Sequence, residues 1–500
     1  MFSFTFKMLE KSRQVQYLIT FSVSLAFVSL GVTSAWPTPV LTKFQDNETS
    51  VEISSNEISW MLGMNPIGFI AGSFATRFIS DNMGRRTTIL GSAIPIAAGT
   101  FIAAFAKKAW MLYITTLLWN CGTGMLSTVI GIYLAEIADK EIRGTLSVCT
   151  RFTFNLGNLL MMSIGPFISY EAINYSILVL PFLYASACWW IPESPYYYLK
   201  EGRVEAARRS LIKLKCCKDE KELDDLLSAK KEDVSKEMER SSTAKELFTG
   251  KEYSKALIIS SGLKVTQIFS GGAAIRQYLG LIMRESNIPK EHDGTAFLVF
   301  GAVTFVVGIM SSVLVDRVGR RPLLIYSYFG TGLSLAVVGL YFFLQDVMHI
   351  NHDFMAVFGF VPFVAIIVST VVSTIGFNSL VSVIPAEIFP LNVKAVAMTS
   401  LSVFGGALGF IVAKSFKNLK DLFGLCGVFW IFSAVGIAGG VFSYILVPET
   451  KGRDLREIQL MLQGDVSKDA SVMLNHNEAT RNVVEIPLEE VELKNETKNI

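Results

Sequence analysis

The sequence predicts an all-α membrane protein with twelve transmembrane helices in two six-helix bundles. Three observations support this fold class: apolar runs long enough to cross a bilayer, basic residues concentrated in alternate loops, and short motifs that occur twice in the same order. Hydrophobic residues make up 51% of the 500 positions and charged residues only 18%. This is more apolar material than the core of a soluble protein of this length requires, so lipid is expected to be the main solvent.

The apolar runs are about 18 to 25 residues long, which suffices to cross about 30 Å of hydrocarbon. Six are expected near 17–36, 58–79, 87–106, 110–134, 146–168 and 172–191, and six more near 255–280, 294–315, 322–345, 356–384, 396–415 and 424–446. The first run is long enough to span and ends in no small-residue cleavage pattern. It is therefore interpreted as the first membrane helix and not as a cleaved signal peptide.

These runs divide the chain into five expected parts. They are an N-terminal tail at 1–16, a six-helix bundle at 17–191, a linker at 192–254, a second bundle at 255–446 and a C-terminal tail at 447–500. The linker alternates acidic and basic residues at helical spacing, which predicts surface helices.

The loops predict an orientation, because basic residues favour the cytosolic side of a membrane. Most basic loop residues fall on one side, although three lysines near the eleventh helix weaken the contrast: Lys414, Lys417 and Lys420. We expect a multi-pass protein of the cell membrane with both termini in the cytosol. Asn47 begins an Asn-Glu-Thr sequon in the first external loop and is the expected glycosylation site.

Composition and motifs also exclude several classes of protein. The net charge of +2 lacks the basic excess of a nucleic-acid binder. No nucleophile with its base, metal-ligand cluster or phosphate-binding loop occurs, so neither an enzyme nor a cofactor or metal site is expected. The expected partners are a small-molecule substrate and the lipid bilayer, with the chain working as a monomer.

Three motifs occur once in each half. Asp81–Arg86 (D-N-M-G-R-R) recurs as Asp316–Arg321 (D-R-V-G-R-R). An A-E-I motif is followed by a basic residue at the same spacing in both halves, and each half closes on P-E-S or P-E-T. Such a parallel duplication is typical of transporters whose site lies between two rocking bundles.

The repeated residues predict a network of charge clamps on the cytosolic face, between the two bundles. The glycine permits a tight turn, and acids and bases that pair in one state can separate when the bundles rock. The simpler alternative is that the bases only hold the loops inside. The residues of the expected network are Asp81, Arg85, Arg86, Glu136, Arg143 and Glu193 in the first half, and Asp316, Arg320, Arg321, Glu387, Lys394 and Glu449 in the second.

These motifs resemble the sugar-porter family of the major facilitator superfamily, and within it the insect facilitative trehalose-transporter type. The resemblance covers nearly the whole membrane portion. It implies facilitative transport of a hexose or a disaccharide such as trehalose by alternating access. Two alternatives remain open, a transporter of a small organic anion and a non-transporting nutrient sensor, because the matching motifs lie outside the central cavity.

The expected cavity departs from the family at several positions. On the seventh helix the family's Q-Q-x-S-G-x-N aligns with Gln267–Ala273, which keeps the first Gln, the Ser and the Gly but lacks the second Gln and the Asn. The Gln expected on the fifth helix is Arg151, and the family's Arg on the fourth helix is Thr116. The Gly-Pro-x-Pro-Trp segment of the tenth helix is replaced by Asn378–Ser382.

Polar groups that remain in these helices are the candidate substrate contacts, since a polyol needs groups that both donate and accept hydrogen bonds. The candidates are Gln267, Ser270, Arg151, Asn155, Thr304, Asn378 and Ser382. Two further cations, Lys264 and Arg276, have a simpler interpretation, in which each extends to the nearest membrane surface.

The first apolar run contains no carboxylate. Proton-coupled members of the family resemble one another in having an Asp on the first helix and an Arg on the fourth, and neither is present here. A carboxylate that changes its charge is the usual proton carrier in a membrane protein. Uniport is therefore expected.

Overall fold

The computed structural model describes residues 2–138, 142–215, 220–239, 247, 250, 253–350, 355, 357–451 and 457–458. These residues are almost entirely helical, as predicted. The N-terminal half contains α1 Phe2–Ala35, α2 Pro37–Gln45, α3 Ser55–Met83, α4 Arg85–Gly91, α5 Ala93–Ala104, α6 Ala109–Ile137, α7 Arg143–Ile164, α8 Tyr170–Leu178 and α9 Leu180–Cys188. The linker contains α10 Pro195–Lys200, α11 Val204–Lys215 and α12 Glu220–Glu239.

The C-terminal half has a matching set of long and broken helices. They are α13 Ser254–Phe269, α14 Gly272–Gln277, α15 Leu279–Glu285, α16 Asp293–Val318, α17 Arg320–Phe342, α18 Phe360–Ile375, α19 Phe377–Ile388 and α20 Leu391–Leu446. The long α20 changes direction at Gly424, whose φ is 65°.

Eight segments of the described chain are long and apolar enough to cross a membrane. The last of them, Val396–Leu446, contains the bend at Gly424 and is long enough for two crossings. Three further crossings are supplied by α3, α7 and the series α13–α15, whose polar residues or breaks lower their apolar character. This arrangement is consistent with the twelve predicted helices.

The seventh membrane helix is interrupted at Gly271, between α13 and α14. Gly271 has a φ of 76°, and a Cβ there would lie 2.3 Å from the ring of Phe432. Only glycine satisfies both constraints without strain. A helix broken in this way exposes backbone and side-chain polar groups at membrane depth, which is tolerated where the break lines a cavity.

Close backbone contact places α7 against α1. A Cβ at Gly157 would lie 2.2 Å from the carbonyl oxygen of Val28, and a Cβ at Gly31 would lie 2.1 Å from that of Phe154. Small residues at such a crossing allow two membrane helices to pack without intervening side chains. This crossing fixes the direction in which the polar side chains of α7 point.

We call the end of the molecule that carries Arg85 and Arg320 the motif side, and the opposite end, with Asp46 and Arg284, the far side. Among the described side chains, the hydrogen bonds and ion pairs that join the two halves lie at the far side. Arg284 donates to Asp46 at 2.5 Å, and Lys414 donates to Asn56 at 3.3 Å. The halves are thus joined by polar contacts at the far side.

Candidate functional site

On the motif side, the turn before α4 is organised by a buried carboxylate. Glu193 accepts hydrogen bonds from the backbone N–H groups of Arg85 at 2.8 Å, Arg86 at 3.1 Å and Ser194 at 2.9 Å. A carboxylate is stabilised there by the unpaired N–H groups of the helix start. Gly84 has a φ of 97°, and a Cβ there would lie 2.3 Å from a Glu193 carboxylate oxygen. The glycine of the G-R-R motif therefore makes room for Glu193.

The Arg85 side chain extends from this turn to the end of α6. Its Nε and Nη2 donate to Glu136 at 3.1 and 2.9 Å, and its Nη1 donates to the carbonyl of Ser80 at 2.9 Å. Asp81 adds a longer ion pair at 3.6 Å. The guanidinium is almost fully buried, so its charge depends on these partners. Arg86 instead donates to the carbonyl of Trp189, at the end of α9.

The C-terminal half repeats the arrangement. Glu449 accepts from the backbone N–H groups of Arg320 and Arg321, each at 3.0 Å, and Arg320 pairs with Glu387 at 3.2 Å. Burial raises the pKa of Glu449, but hydrogen bonds from backbone N–H groups, first that of Lys451, outweigh burial and hold it below its usual value. Thr450 donates to the second oxygen of Glu387 at 2.5 Å.

The structure corrects the prediction that these pairs clamp one bundle to the other. Each pair that the structure describes lies within one half, Arg85 with Glu136 and Arg320 with Glu387. The reason is geometric, because the turn between the second and third membrane helices lies beside the end of the fourth helix of the same half. The network therefore joins the motif-side ends of three helices into one unit.

The structure gives less information on three other residues of the predicted network. Arg143 and Asp316 lie on α7 and α16, but their side chains are outside the part of the structure that is described. Lys394 is half-buried at the start of α20, and no described carboxylate pairs with it. The part that Arg143, Asp316 and Lys394 take in the predicted network therefore remains a prediction.

Within the membrane portion, Gln267 is the centre of a short polar chain. Its Nε2 donates to the Oδ1 of Asn378 at 3.3 Å, and its Oε1 accepts from the Nζ of Lys264 at 3.3 Å. These contacts join α13 to α19 beside the break at Gly271. Lys264 thus points to Gln267, not to the membrane surface as its simpler interpretation predicted. A Cβ at Gly405 would lie 2.4 Å from the Lys264 side chain, so this glycine makes room for the lysine.

Two predicted contacts use their hydroxyl protons within their own helices. Ser270 is buried and donates to the carbonyl of Gln267 at 2.6 Å, and Thr304 donates to the carbonyl of Phe300 at 2.8 Å. Such back-bonding is the ordinary behaviour of Ser and Thr in membrane helices. Both oxygens remain acceptors. Ser382 is exposed on α19.

Arg151 and Asn155 lie on one face of α7, because residues four apart are neighbours on a helix. This face lies between the side that contacts α1 through Gly157 and the side that contacts α16. On the latter side the rings of Phe152 and Phe305 are 5.1 Å apart. The Arg151 side chain is exposed, and no described carboxylate pairs with it. Its predicted position in the central cavity remains a prediction.

Thr116, at the position where the family has an arginine, has a structural contact. Its Oγ1 donates to the carbonyl of Met61 at 3.0 Å, which ties α6 to α3. The side chain is buried and uncharged. This position therefore offers no charge that could assist proton transfer.

A sequence profile for the family described as "Sugar (and other) transporter" matches residues 14–462. The chain belongs to this family. It is accordingly a multi-pass membrane transporter and not an enzyme.

Individual relatives and solved structures agree with this assignment. The chain is 31% identical to "Facilitated trehalose transporter Tret1-2 homolog" of Drosophila simulans over 91% of this chain and 93% of that protein. It is 28% identical to "Facilitated trehalose transporter Tret1" of Bombyx mori over 89% and 86%. "Inward open conformation of the xylose transporter XylE from E. coli" superposes with a TM-score of 0.72 at 18% identity, over 89% of this chain and 99% of that one. This last likeness concerns the fold.

Sequence reasoning missed the charged contact that closes the far side. Arg284, at the end of α15, donates to Asp46 after α2 and to Asp293 at the start of α16 at 3.0 Å. Lys290 also donates to Asp46. Asp46 lies far along the chain from Arg284, Lys290 and Asp293, so no pattern in the sequence predicted that they meet.

Proposed function

We propose that this protein is a facilitative uniporter of a sugar, a hexose or a disaccharide such as trehalose, which works by alternating access. The observation that carries the proposal is the hydrogen-bonded amide pair of Gln267 and Asn378 at the break in the seventh membrane helix. An amide both donates and accepts, as recognition of a sugar hydroxyl requires. The relatives named as facilitated trehalose transporters support the choice of substrate class.

Uniport is supported by the positions of the acidic residues. In the described membrane helices, each Asp or Glu lies near a helix end or near the bend at Gly424. None lies at the depth where a carboxylate would exchange a proton during transport. The sugar gradient alone then drives net movement.

The setting of the proposed transporter follows from the orientation predicted by the loops. The motif side faces the cytosol, the termini are cytosolic, and the protein works as a monomer in the cell membrane. Asn47 is exposed at the far side, where an attached glycan meets no packed surface. Asn174, a second sequon asparagine, is buried and accepts a hydrogen bond from the indole of Trp36 at 2.9 Å, which excludes it as an acceptor of a glycan in the folded protein.

A small organic anion is the second candidate substrate, and the cations within the membrane portion favour it. Arg151, Lys264 and Arg276 all lie within or beside the polar region of the helices, and no described carboxylate pairs with any of them. An unpaired cation at membrane depth costs roughly 2.5–3.5 kcal/mol or more unless water or a ligand compensates it. A carboxylate on the substrate would supply that compensation.

Substitution of Arg151 by Gln distinguishes the two candidates. A guanidinium offers donors only, whereas Gln adds an acceptor and removes the charge. For a sugar substrate, we expect Arg151→Gln to keep or increase uptake of trehalose and glucose into proteoliposomes at matched protein abundance. For an anionic substrate, uptake of the anion should fall by tenfold or more while neutral sugars compete better.

Arg77→Gln is the matched control, because Arg77 is an exposed arginine of a membrane helix at the motif side. It should transport like the wild type. If Arg151→Gln changes abundance but leaves the relative preference for sugar and anion unchanged, Arg151 does not contact the substrate. Wild-type protein that takes up neither class would support the sensor alternative and contradict the proposal.

A further inference from the structure

A narrow cavity lies inside the C-terminal half, beside the break at Gly271. It has a volume of about 20 Å³ and lies between α14, α17, α18 and α19. This space accommodates one water-sized species and no sugar ring. Because its walls belong to one half, rocking of the bundles does not take the cavity apart.

Arg276 supplies a positive charge to this cavity. Its side chain lines the cavity and is exposed, although its neighbours Ala274 and Ile275 are buried. Its Nε donates to the carbonyl of Gly272 at 3.2 Å. The terminal N–H groups of the guanidinium have no hydrogen-bond partner among the described residues. No described carboxylate pairs with it. The simpler interpretation, in which Arg276 extends to the membrane surface, remains a prediction.

The hydroxyl groups around the guanidinium divide into two kinds. Thr370 and Ser373 donate to carbonyl oxygens of α18 at 2.8 and 3.1 Å, so their protons are used. Thr331 is only 2% exposed, and its hydroxyl has no partner among the described residues although it lines the cavity. A buried polar group without a partner is costly, which points to a ligand that accepts its proton.

The amide of Asn378 completes the set of donors. Its Oδ1 accepts from Gln267, and Asn378 also lines the cavity. A guanidinium, an amide and an unpartnered hydroxyl thus line one cavity, and no described acid neutralises them. Donors around a single positive charge are the chemistry of an anion site.

We propose that this cavity binds one halide ion on Arg276. The cavity shares Ser270 and Asn378 with the predicted sugar contacts, so the inference rests in part on the proposed function, but its test requires no sugar. The ion would compensate the guanidinium within the membrane portion and so stabilise the C-terminal half. A halide suits the site because it is a compact negative charge that accepts several hydrogen bonds.

The test is thermal unfolding of the purified full chain in nanodiscs of neutral lipid. Chloride or acetate replaces methanesulfonate at constant ionic strength, because a ligand that binds only the folded state raises the unfolding temperature in a saturable way. We expect chloride to do so for the wild type, and acetate, which is larger than the space, not to do so. Arg276→Gln should weaken the affinity for chloride at least tenfold, and Lys417→Gln, which removes a lysine charge near the far side, should leave it unchanged.

A second variant tests the site while retaining the charge. Thr331→Val removes the unpartnered hydroxyl and should weaken anion affinity at least threefold, even if Arg276→Gln fails to fold. Stabilisation by acetate and not by chloride would place the bound anion outside this cavity and contradict the proposal. The proposal is also overturned if chloride does not stabilise the wild type, or if the variants that fold bind chloride as the wild type does.

Discussion

Arg85→Ala is expected to reduce uptake more than tenfold at matched abundance and to lower the free energy of unfolding by roughly 3–5 kcal/mol. The substitution leaves Glu136 buried without its partner and removes a bidentate contact between the G-R-R turn and α6. The effect should exceed that of Arg320→Ala, because the side chains of Arg320 and Glu387 are 15% and 27% exposed, against 5% and 10% for Arg85 and Glu136. Water can solvate the charge left by Arg320→Ala, so the loss of this more exposed pair costs less stability.

Uptake and thermal unfolding of five variants check this prediction: Arg85→Ala, Arg320→Ala, Arg77→Ala, Glu136→Gln and the double variant Arg85→Ala/Glu136→Gln. Arg77→Ala removes an exposed arginine of the preceding helix, α3, and should behave as the wild type. Glu136→Gln should act in the same direction as Arg85→Ala, and the double variant should recover part of the lost stability, because no unpaired charge remains. Equal behaviour of Arg85→Ala and Arg77→Ala would show that the pair has no structural role.

Asp46→Asn is expected to open the far side. The carboxylate of Asp46 accepts two hydrogen bonds from Arg284 of the other half, at 3.0 and 2.5 Å, while Arg284 keeps its contact with Asp293. Hydrogen bonds to charged groups contribute about 1.5–3 kcal/mol. Their loss should shift the equilibrium toward the state open at the far side by about tenfold or more.

The shift can be measured by labelling a cysteine at position 42 with a membrane-impermeant maleimide, after replacement of the native cysteines. Thr42 is buried, and a Cβ at Gly280 of the other half would lie 2.2 Å from its methyl group. Asp46→Asn should accelerate labelling severalfold. The exposed Glu48 provides the control, and Glu48→Gln should leave the rate unchanged. Equal rates for both variants would mean that the Asp46 contact does not hold the halves together.

The far-side contact should also be insensitive to pH near neutrality. Burial raises the pKa of Asp46, but hydrogen bonds with Arg284 and Lys290 outweigh burial and hold it below 3.8. The stabilisation is therefore present above the ordinary pKa of Asp and is lost only as pH falls through the lowered value. The thiolate that reacts with maleimide becomes more abundant as pH rises, so the rate at position 42 is divided by that of an exposed cysteine at the same pH. This ratio should be the same at pH 6 and pH 8.

Sequence alone predicted the local structure where a residue type at a given position permits only one backbone conformation. The doubled G-R-R motif predicted two equivalent turns, and Gly84 and Gly319 both adopt positive φ there. The partners of the arginines were not predictable in the same way. Arg85 was expected to clamp the other bundle, but the fold places Glu136 beside it in the same half. Spacing along the chain does not determine which helix ends meet.

The cavity was predicted only in part, for a similar reason. Gln267 and Asn378 were recognised as polar groups on two helices, and the fold brings them into hydrogen-bond contact. Ser270 and Thr304 were equally polar in sequence, yet each donates its proton to its own helix. The role of a hydroxyl in a membrane helix depends on its rotamer and neighbours, which composition and periodicity do not determine.

Sugar uptake by the full chain in proteoliposomes tests the central claim most directly. Labelled trehalose and glucose are supplied outside, first at equal pH and then with the outside one pH unit more acidic. A uniporter should take up at least one sugar saturably until the inner and outer concentrations are equal, and the acid gradient should change neither the rate nor this plateau. Accumulation above equality under the acid gradient, or the absence of saturable sugar uptake, would contradict facilitative sugar transport.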